Sequence, residues 1–305
     1  MSGTVPLGAA AKSTSARFNL VSLIPSAVLA TAIVLLVASG SFSGVPSMHA
    51  LALRLREVNI LIASLLFLAV FSVALILSPF QLMLVRLLEG YWEEVPVLRR
   101  LRFIGVEVNR RRWVEILTIK RDDALLARLY PLEPDDLLPT RLGNVLRAAE
   151  RSAGTQHGFT SPIEMLPRVY PYMSSPLSEA FGDARNELDI ACRMSVVLWM
   201  LAALSAVVFT YDGAVLATRG ALLAIPAAAA LLGAVSYRGA VRSAGEYGRF
   251  LHYVFDLHRR DLIRALGYEP PRSAQAEIKL IEELTGWLVD GDPAPVHYRE
   301  DPKQR

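Results

Sequence analysis

"AAAALLGAVSYRGAVRSAGEYGRFLHYVFDLHRRDLIRALG", residues 227 to 267, begins as sequence that only a membrane would hold and ends as a charged, soluble-looking helix. No proline falls between Pro226 and Gly267, and the glycines come singly, so a helix begun in the apolar half continues into the polar half. Past Arg238, the residues Val241, Ala244, Gly248, Leu251 and Phe255 recur at alternating steps of three and four, the spacing of a heptad seam. From Ala221 to Leu266 such a helix is about 69 Å long at about 1.5 Å per residue. A bilayer core takes about 30 Å of that. Gly267, with Pro270 and Pro271 beyond it, is the stop.

A second helix of the same kind precedes it. Ser175 is a cap with Pro176 in the first turn, and nothing breaks the pattern until Asp212-Gly213. Leu177, Phe181, Ala184, Leu188 and Ala191 step by four and three. The two seams leave neighbouring apolar stretches joined by a short loop, so they run antiparallel. Levelled from the apolar ends, Ala191 meets Val241, Leu188 meets Ala244, Ala184 meets Gly248, Phe181 meets Leu251, and Leu177 meets Phe255. Large residues then face small ones, as interdigitated packing requires. Ala229 with Gly233, and Ala230 with Ala234, are small residues four apart that let helices approach closely.

The whole chain fits this start. Of its 305 residues 53% are hydrophobic and its mean hydropathy is positive, which points to membrane spans before any soluble fold. Four apolar stretches approach the length a span needs: 18–39, 58–79, 194–211 and 221–237. The first competes with a secretory signal, but its length exceeds the roughly 7–15 residues of a signal's apolar region, so it is read as a retained span. The two short connections carry Arg54, Arg56 and Arg219, whereas Lys12, Arg17, Arg86, Arg99, Arg100, Arg185, Arg193, Arg238, Arg242 and Arg249 lie on the other side. By the positive-inside rule both termini and the middle segment are cytoplasmic. The expected fold is an all-α polytopic membrane protein with four transmembrane helices in a 2+2 order. Two of them extend into an antiparallel cytoplasmic stalk, and a small cytoplasmic helical domain completes the chain.

The expected divisions are a tail at 1–17, spans one and two at 18–81, an interfacial elbow helix at 82–104, and a helical domain at 105–175. Stalk and spans three and four follow at 176–266, an amphipathic helix at 267–289, and a disordered tail at 290–305. In the elbow, Leu82, Val85, Leu88 and Trp92 share one face and Arg86, Glu89 and Glu93 another, with Tyr91 and Trp92 as membrane-interface anchors. Val114, Leu117, Arg121, Leu125 and Leu129 predict one helix over 107–129. Thr140 caps the next, which Gly154 ends, and Ser273 caps the last. The prolines of 162–176 predict irregular chain there.

Chemistry is sparse. No Gly-Lys pair exists for a phosphate loop and no HExxH for a metal. The single Cys192 excludes an internal disulfide and any Cys-pair metal site. The five histidines, at 49, 157, 252, 258 and 297, are scattered. Glu179, Asp183 and Glu187 form an acidic line at steps of four, suited to a cation or a shared proton, or simply to pairing with Arg185, Arg242 and Arg249. His258 lies on the stalk seam, where Asp256 is too near in sequence to orient it. No catalytic, cofactor or metal site is assigned. The net charge of +3 is small, and the dense run of Arg99, Arg100, Arg102, Arg110, Arg111 and Arg112 suits phospholipid headgroups, not nucleic acid. The spans hold no deeply placed ionisable residue, against an active transporter but not against a channel.

"RLLEGYW" at 86 to 92, "LPTRLGNVLRAAE" at 138 to 150 and "EYGRFLHYVFDLHRRDLIRALG" at 246 to 267 together resemble a family of uncharacterised bacterial multi-pass membrane proteins. The likeness covers most of the chain after the second span. It implies a bacterial inner membrane and brings no site. The 2+2 order with a cytosolic middle is also similar, in topology only, to bestrophin-type anion channels, whose residues do not match. The expected function is a non-enzymatic, cytoplasm-facing adaptor, sensor or effector with a cytoplasmic protein partner and the lipid bilayer around it. An oligomeric ion channel gated by the stalk, built as a homo-oligomer, is the alternative. An enzyme acting on a lipid-linked substrate through Glu179, Asp183 or His258 is the third reading.

Overall fold

The computed structural model describes residues 24–42, 48–77, 80–92, 96–210 and 220–295. The expectations for the tail 1–17, the start of the first span, the connection 211–219 and residues 296–305 lie outside them. The described residues are helical, with no strand among them. In chain order the helices are α1 Ile24–Ala38, α2 Met48–Arg56, α3 Ile60–Leu77, α4 Phe80–Glu89 and α5 Pro96–Glu115. Then come α6 Asp123–Leu129, α7 Arg141–Ser152, α8 Pro162–Val169, α9 Ser175–Thr210, α10 Ala224–Ala265 and α11 Ala274–Thr285. Two segments are long and apolar enough to cross a membrane, Ser175–Thr210 and Ala221–Ala265. The chain divides into two compact units, Met1–Leu87 with Asn186–Ala240, and Leu88–Arg185 with Val241–Arg305. Both α9 and α10 run through the boundary as unbroken helices.

In the first unit, α1 stops at Gly40, whose φ of 79° only glycine adopts cheaply. Ser41 N–H reaches Leu36 O at 3.2 Å and Gly40 N–H reaches Val37 O at 3.0 Å, a Schellman ending. Arg54 of α2 donates to the Val37 and Ala38 carbonyls at 3.0 Å each, satisfying the last turn and countering its partial negative charge. Asn59 caps α3 through Ile62 N–H at 2.9 Å. α3 is 18 residues without one charged side chain, and Ile60, Leu61, Phe67 and Leu68 stand exposed along it. α9 and α10 are laced by side chain to backbone bonds: Ser236 Oγ to Ala191 O at 2.9 Å, Ser195 Oγ to Gly233 O at 3.0 Å, Trp199 Nε1 to Ala230 O at 3.3 Å. As one residue number rises the other falls, so the pair is antiparallel. The Trp199 indole fills the space over Gly233, where a Cβ would come within 2.5 Å of it. Arg193 is buried, with Asp189 one turn earlier at 3.9 Å.

In the second unit, a core of Ile116, Leu126, Tyr130 and Leu137 gathers Val106, Trp113, Leu125 and Leu129 around it. The single helix expected over 107–129 is two. α5 widens into a π turn at Ile116–Lys120, Arg121 turns left-handed at φ 49°, and Asp122 caps α6 by accepting from Leu125 N–H at 2.8 Å. Val106, Trp113 and Ile116 face the core from α5, one position off the expected line, so Ile116 and Leu126 are buried while Val114 and Leu117 are exposed. The expected elbow helix is also broken, at Gly90 with φ 100°, which leaves the anchors Tyr91 and Trp92 on the connection between α4 and α5. The proline-rich 162–176 is not irregular: Pro162 opens α8, where a missing N–H costs nothing, and Pro171 sits early in the following 3-10 turn.

The paired seams differ from expectation by one helical turn. Phe181 stacks on Tyr247 with ring centroids 5.2 Å apart, a turn earlier in α10 than Leu251. Gly248 does not face Ala184. A Cβ there would meet Ala149 of α7 at 2.6 Å, so its smallness serves a third helix. Phe181, Ala184, Leu188, Ala244, Gly248, Leu251 and Phe255 are buried, and Leu177, Ala191 and Val241 half-buried. α10 ends at Gly267, φ 87°, with Gly267 N–H to Arg264 O at 3.0 Å and Tyr268 N–H to Ile263 O at 3.1 Å.

Candidate functional site

The stretch at 138 to 150 closes on the one at 86 to 92. Thr140 Oγ1 accepts from Gly143 N–H at 3.0 Å and donates to Glu89 O at 2.8 Å, capping α7 while holding the end of α4. A Cβ on Gly143 would lie 1.8 Å from Glu89 O, and one on Gly90 2.7 Å from Pro139. The fully buried Asn144 accepts from Leu138 N–H at 2.8 Å and donates to the Leu138 and Thr140 carbonyls, each at 2.8 Å. Asn109 of α5 adds bonds to Leu138 O at 3.2 Å and Pro139 O at 3.0 Å. Every polar group named here is committed to buried backbone that would otherwise be unsatisfied. Together these bonds clamp α4, α5 and α7 to one another.

A second polar group forms where α7, the turn after it and α10 meet. His157 Nε2 donates to Asp256 Oδ1 at 2.7 Å, and Gln156 Nε2 to the same oxygen at 2.8 Å. Ser152 Oγ lies 3.2 Å from His252 Nε2 and donates its proton to Ala148 O at 2.6 Å. The ring nitrogen is therefore the donor between them, and the serine is not activated for attack. Burial lowers the His252 pKa, against the pull of Asp256, which favours the neutral ring. A turn further on, Arg259 Nε and Arg260 Nε grip Glu277 of α11 at 2.6 and 2.9 Å. Burial pushes the Glu277 carboxyl up, but the two guanidiniums outweigh it and hold the group below its usual range. Arg259 also donates to the Asp256 carbonyl, so the two groups are joined.

The candidates named from the sequence stay apart from this. Glu179, Asp183 and Glu187 are exposed on α9, and Arg249, expected opposite them, pairs with Glu246 on its own helix at 3.0 Å. No group of three or more His, Cys, Asp or Glu could hold a metal among the described residues. His258 finds its carboxylate three residues on: Nδ1 lies 3.0 Å from Asp261 Oδ2, while Nε2 is buried without a hydrogen-bond partner. Tyr91 is exposed with Arg147 over its ring at 6.0 Å, and Trp92 is half-buried. Cys192 is a buried thiol. The Asp256 cluster was missed because His157 and Asp256 stand 99 residues apart. The signal within reach was the four-residue step from His252 to Asp256 on one helix face.

No protein-family model, curated protein or solved structure matches the chain.

Proposed function

We propose that this chain is a four-span protein of the bacterial inner membrane, with both termini in the cytoplasm, and that its second unit is a non-enzymatic adaptor that engages a cytoplasmic protein. The observation that carries this reading is the continuity of α9 and α10. Each passes, without a break, from an apolar stretch long enough for a bilayer into a packed unit rich in internal polar bonds. The exposed, uncharged α3 fits a lipid-facing span, and α1 fits the remaining one. The adaptor reading is supported by how the polar groups are used. The clustered polar side chains of the second unit bind backbone or each other, in patterns that hold helices together.

The test is cross-linking of the tagged full-length chain in membranes of its host, followed by solubilisation and capture. A stoichiometric cytoplasmic partner is expected, lost from variants altered on the outer surface of α6 and α8 yet retained by variants altered in α3. Capture of the chain alone after efficient cross-linking would remove the adaptor reading. Selective ion flux from vesicles holding the purified chain would replace it with the oligomeric channel.

A further inference from the structure

α5 has two faces of opposite character. One is spent on the fold: Gly105 abuts Pro139, Asn109 bonds the 138–139 carbonyls, and Val106 and Trp113 pack on the core. The other carries large apolar side chains that stand exposed. Phe103 is 71% exposed, Ile104 64% and Val108 44%. Arg99, Arg100 and Arg110 are exposed among them. The helix as a whole holds six arginines against two glutamates, and Glu107 is already paired with Arg111 at 2.9 Å.

Water suits half of this surface and an apolar partner suits the other half. Nucleic acid would satisfy the guanidiniums and leave isoleucine and valine wet. The headgroup boundary of a bilayer takes both at once, apolar side chains toward the acyl region and guanidiniums at phosphate. The chain delivers the helix to such a boundary, because α3, without a charged residue, precedes it with only α4 between. We propose that the outward face of α5 docks on a bilayer surface through anionic phospholipid, with Phe103, Ile104 and Val108 inserted and Arg99, Arg100 and Arg110 at the phosphates. This rests on the membrane reading above and adds to it a lipid class and the residues that select it.

The experiment places an environment-sensitive fluorophore at Ile104→Cys in the full-length chain, or at Phe67→Cys on α3 as the control; Cys192 is buried and does not compete. Each labelled protein is reconstituted in phosphatidylcholine vesicles, with and without phosphatidylglycerol, and quenched by acyl-chain nitroxide lipid. The expected result is quenching at position 104 that needs phosphatidylglycerol and is lost in high salt, with position 67 quenched throughout. Arg99→Gln, Arg100→Gln and Arg110→Gln, checked for unchanged helicity, should each weaken the anionic-lipid response about fivefold, as the loss of one basic residue at an anionic surface implies. Quenching at 67 but not at 104 overturns this inference and leaves the membrane reading standing. Equal quenching at 104 in both lipids overturns the anionic selectivity. No quenching at either position overturns both readings.

Discussion

Gly143 and Gly245 both lie inside helices, and one added methyl group should move them in opposite directions. At Gly143 the new carbon would sit 1.8 Å from the Glu89 carbonyl oxygen, which is backbone pinned by Thr140 and cannot yield. Gly143→Ala should therefore cost about 1–3 kcal/mol or more, as overpacking does. At Gly245 nothing stands within 4 Å, so Gly245→Ala should gain up to about 1 kcal/mol of helix propensity. Thermal unfolding of both variants in one detergent checks the pair, and equal shifts would refute the clamp. Glu277 offers a titration with a definite sign. Its folded pKa lies below the ordinary 4.5, so its contribution is complete above that value and is lost as the pH falls through the folded pKa. Glu277→Gln should cost about 1–3 kcal/mol at neutral pH, toward the lower end because Arg260 is half-exposed. The gap between the two proteins should close in acid. A gap constant with pH would mean that the residue acts through packing alone.

At the scale of elements, the contact to break is the one between α9 and α10. Phe181 is 3% exposed and lies against Tyr247, so Phe181→Ala should lose about 3–5 kcal/mol, the range for a deleted core aromatic. The loss should appear in the unfolding of the second unit, followed by Trp113 fluorescence. Element ends were legible in the sequence where local chemistry sets them. Thr140 and Ser273 cap their helices, Gly154 turns left-handed at φ 73°, and Gly267 ends α10, all from residues within five positions of each other. Register was not legible. A heptad seam repeats with itself, so a slip of one turn leaves the same side chains buried and changes only their partners. What selects the observed register is a set of single bonds, Ser195 and Ser236 to backbone and Trp199 over Gly233, that hydrophobic spacing does not encode. The break at Arg121 was hidden for a related reason. Val114, Leu117, Leu125 and Leu129 keep helical spacing on both sides of the π turn, so the pattern alone does not mark it.

At the scale of the molecule the question is which surfaces meet water and on which side. The basic residues divide unevenly about the apolar stretches, and the positive-inside rule converts that division into a topology. In the proposed topology, Arg54 is tied to the end of α1 by two bonds, so its charge is partly spent there and weighs less as a cytoplasmic signal. The turn after α1 and the long segment between α3 and α9 are therefore predicted on opposite sides. Phe42, in the turn that ends α1, and Ile163, on α8, are both exposed and take no part in the clamp, so cysteine is tolerable at each. A membrane-impermeant maleimide should label Phe42→Cys in intact spheroplasts and should reach Ile163→Cys only after permeabilisation. Labelling of both without permeabilisation would place the second unit outside and reverse the proposed orientation. Labelling of neither before permeabilisation, and both after, would mean that α1 and α3 do not form the first pair of crossings. The number of spans would then fall to the two that α9 and α10 supply on their own length and apolarity.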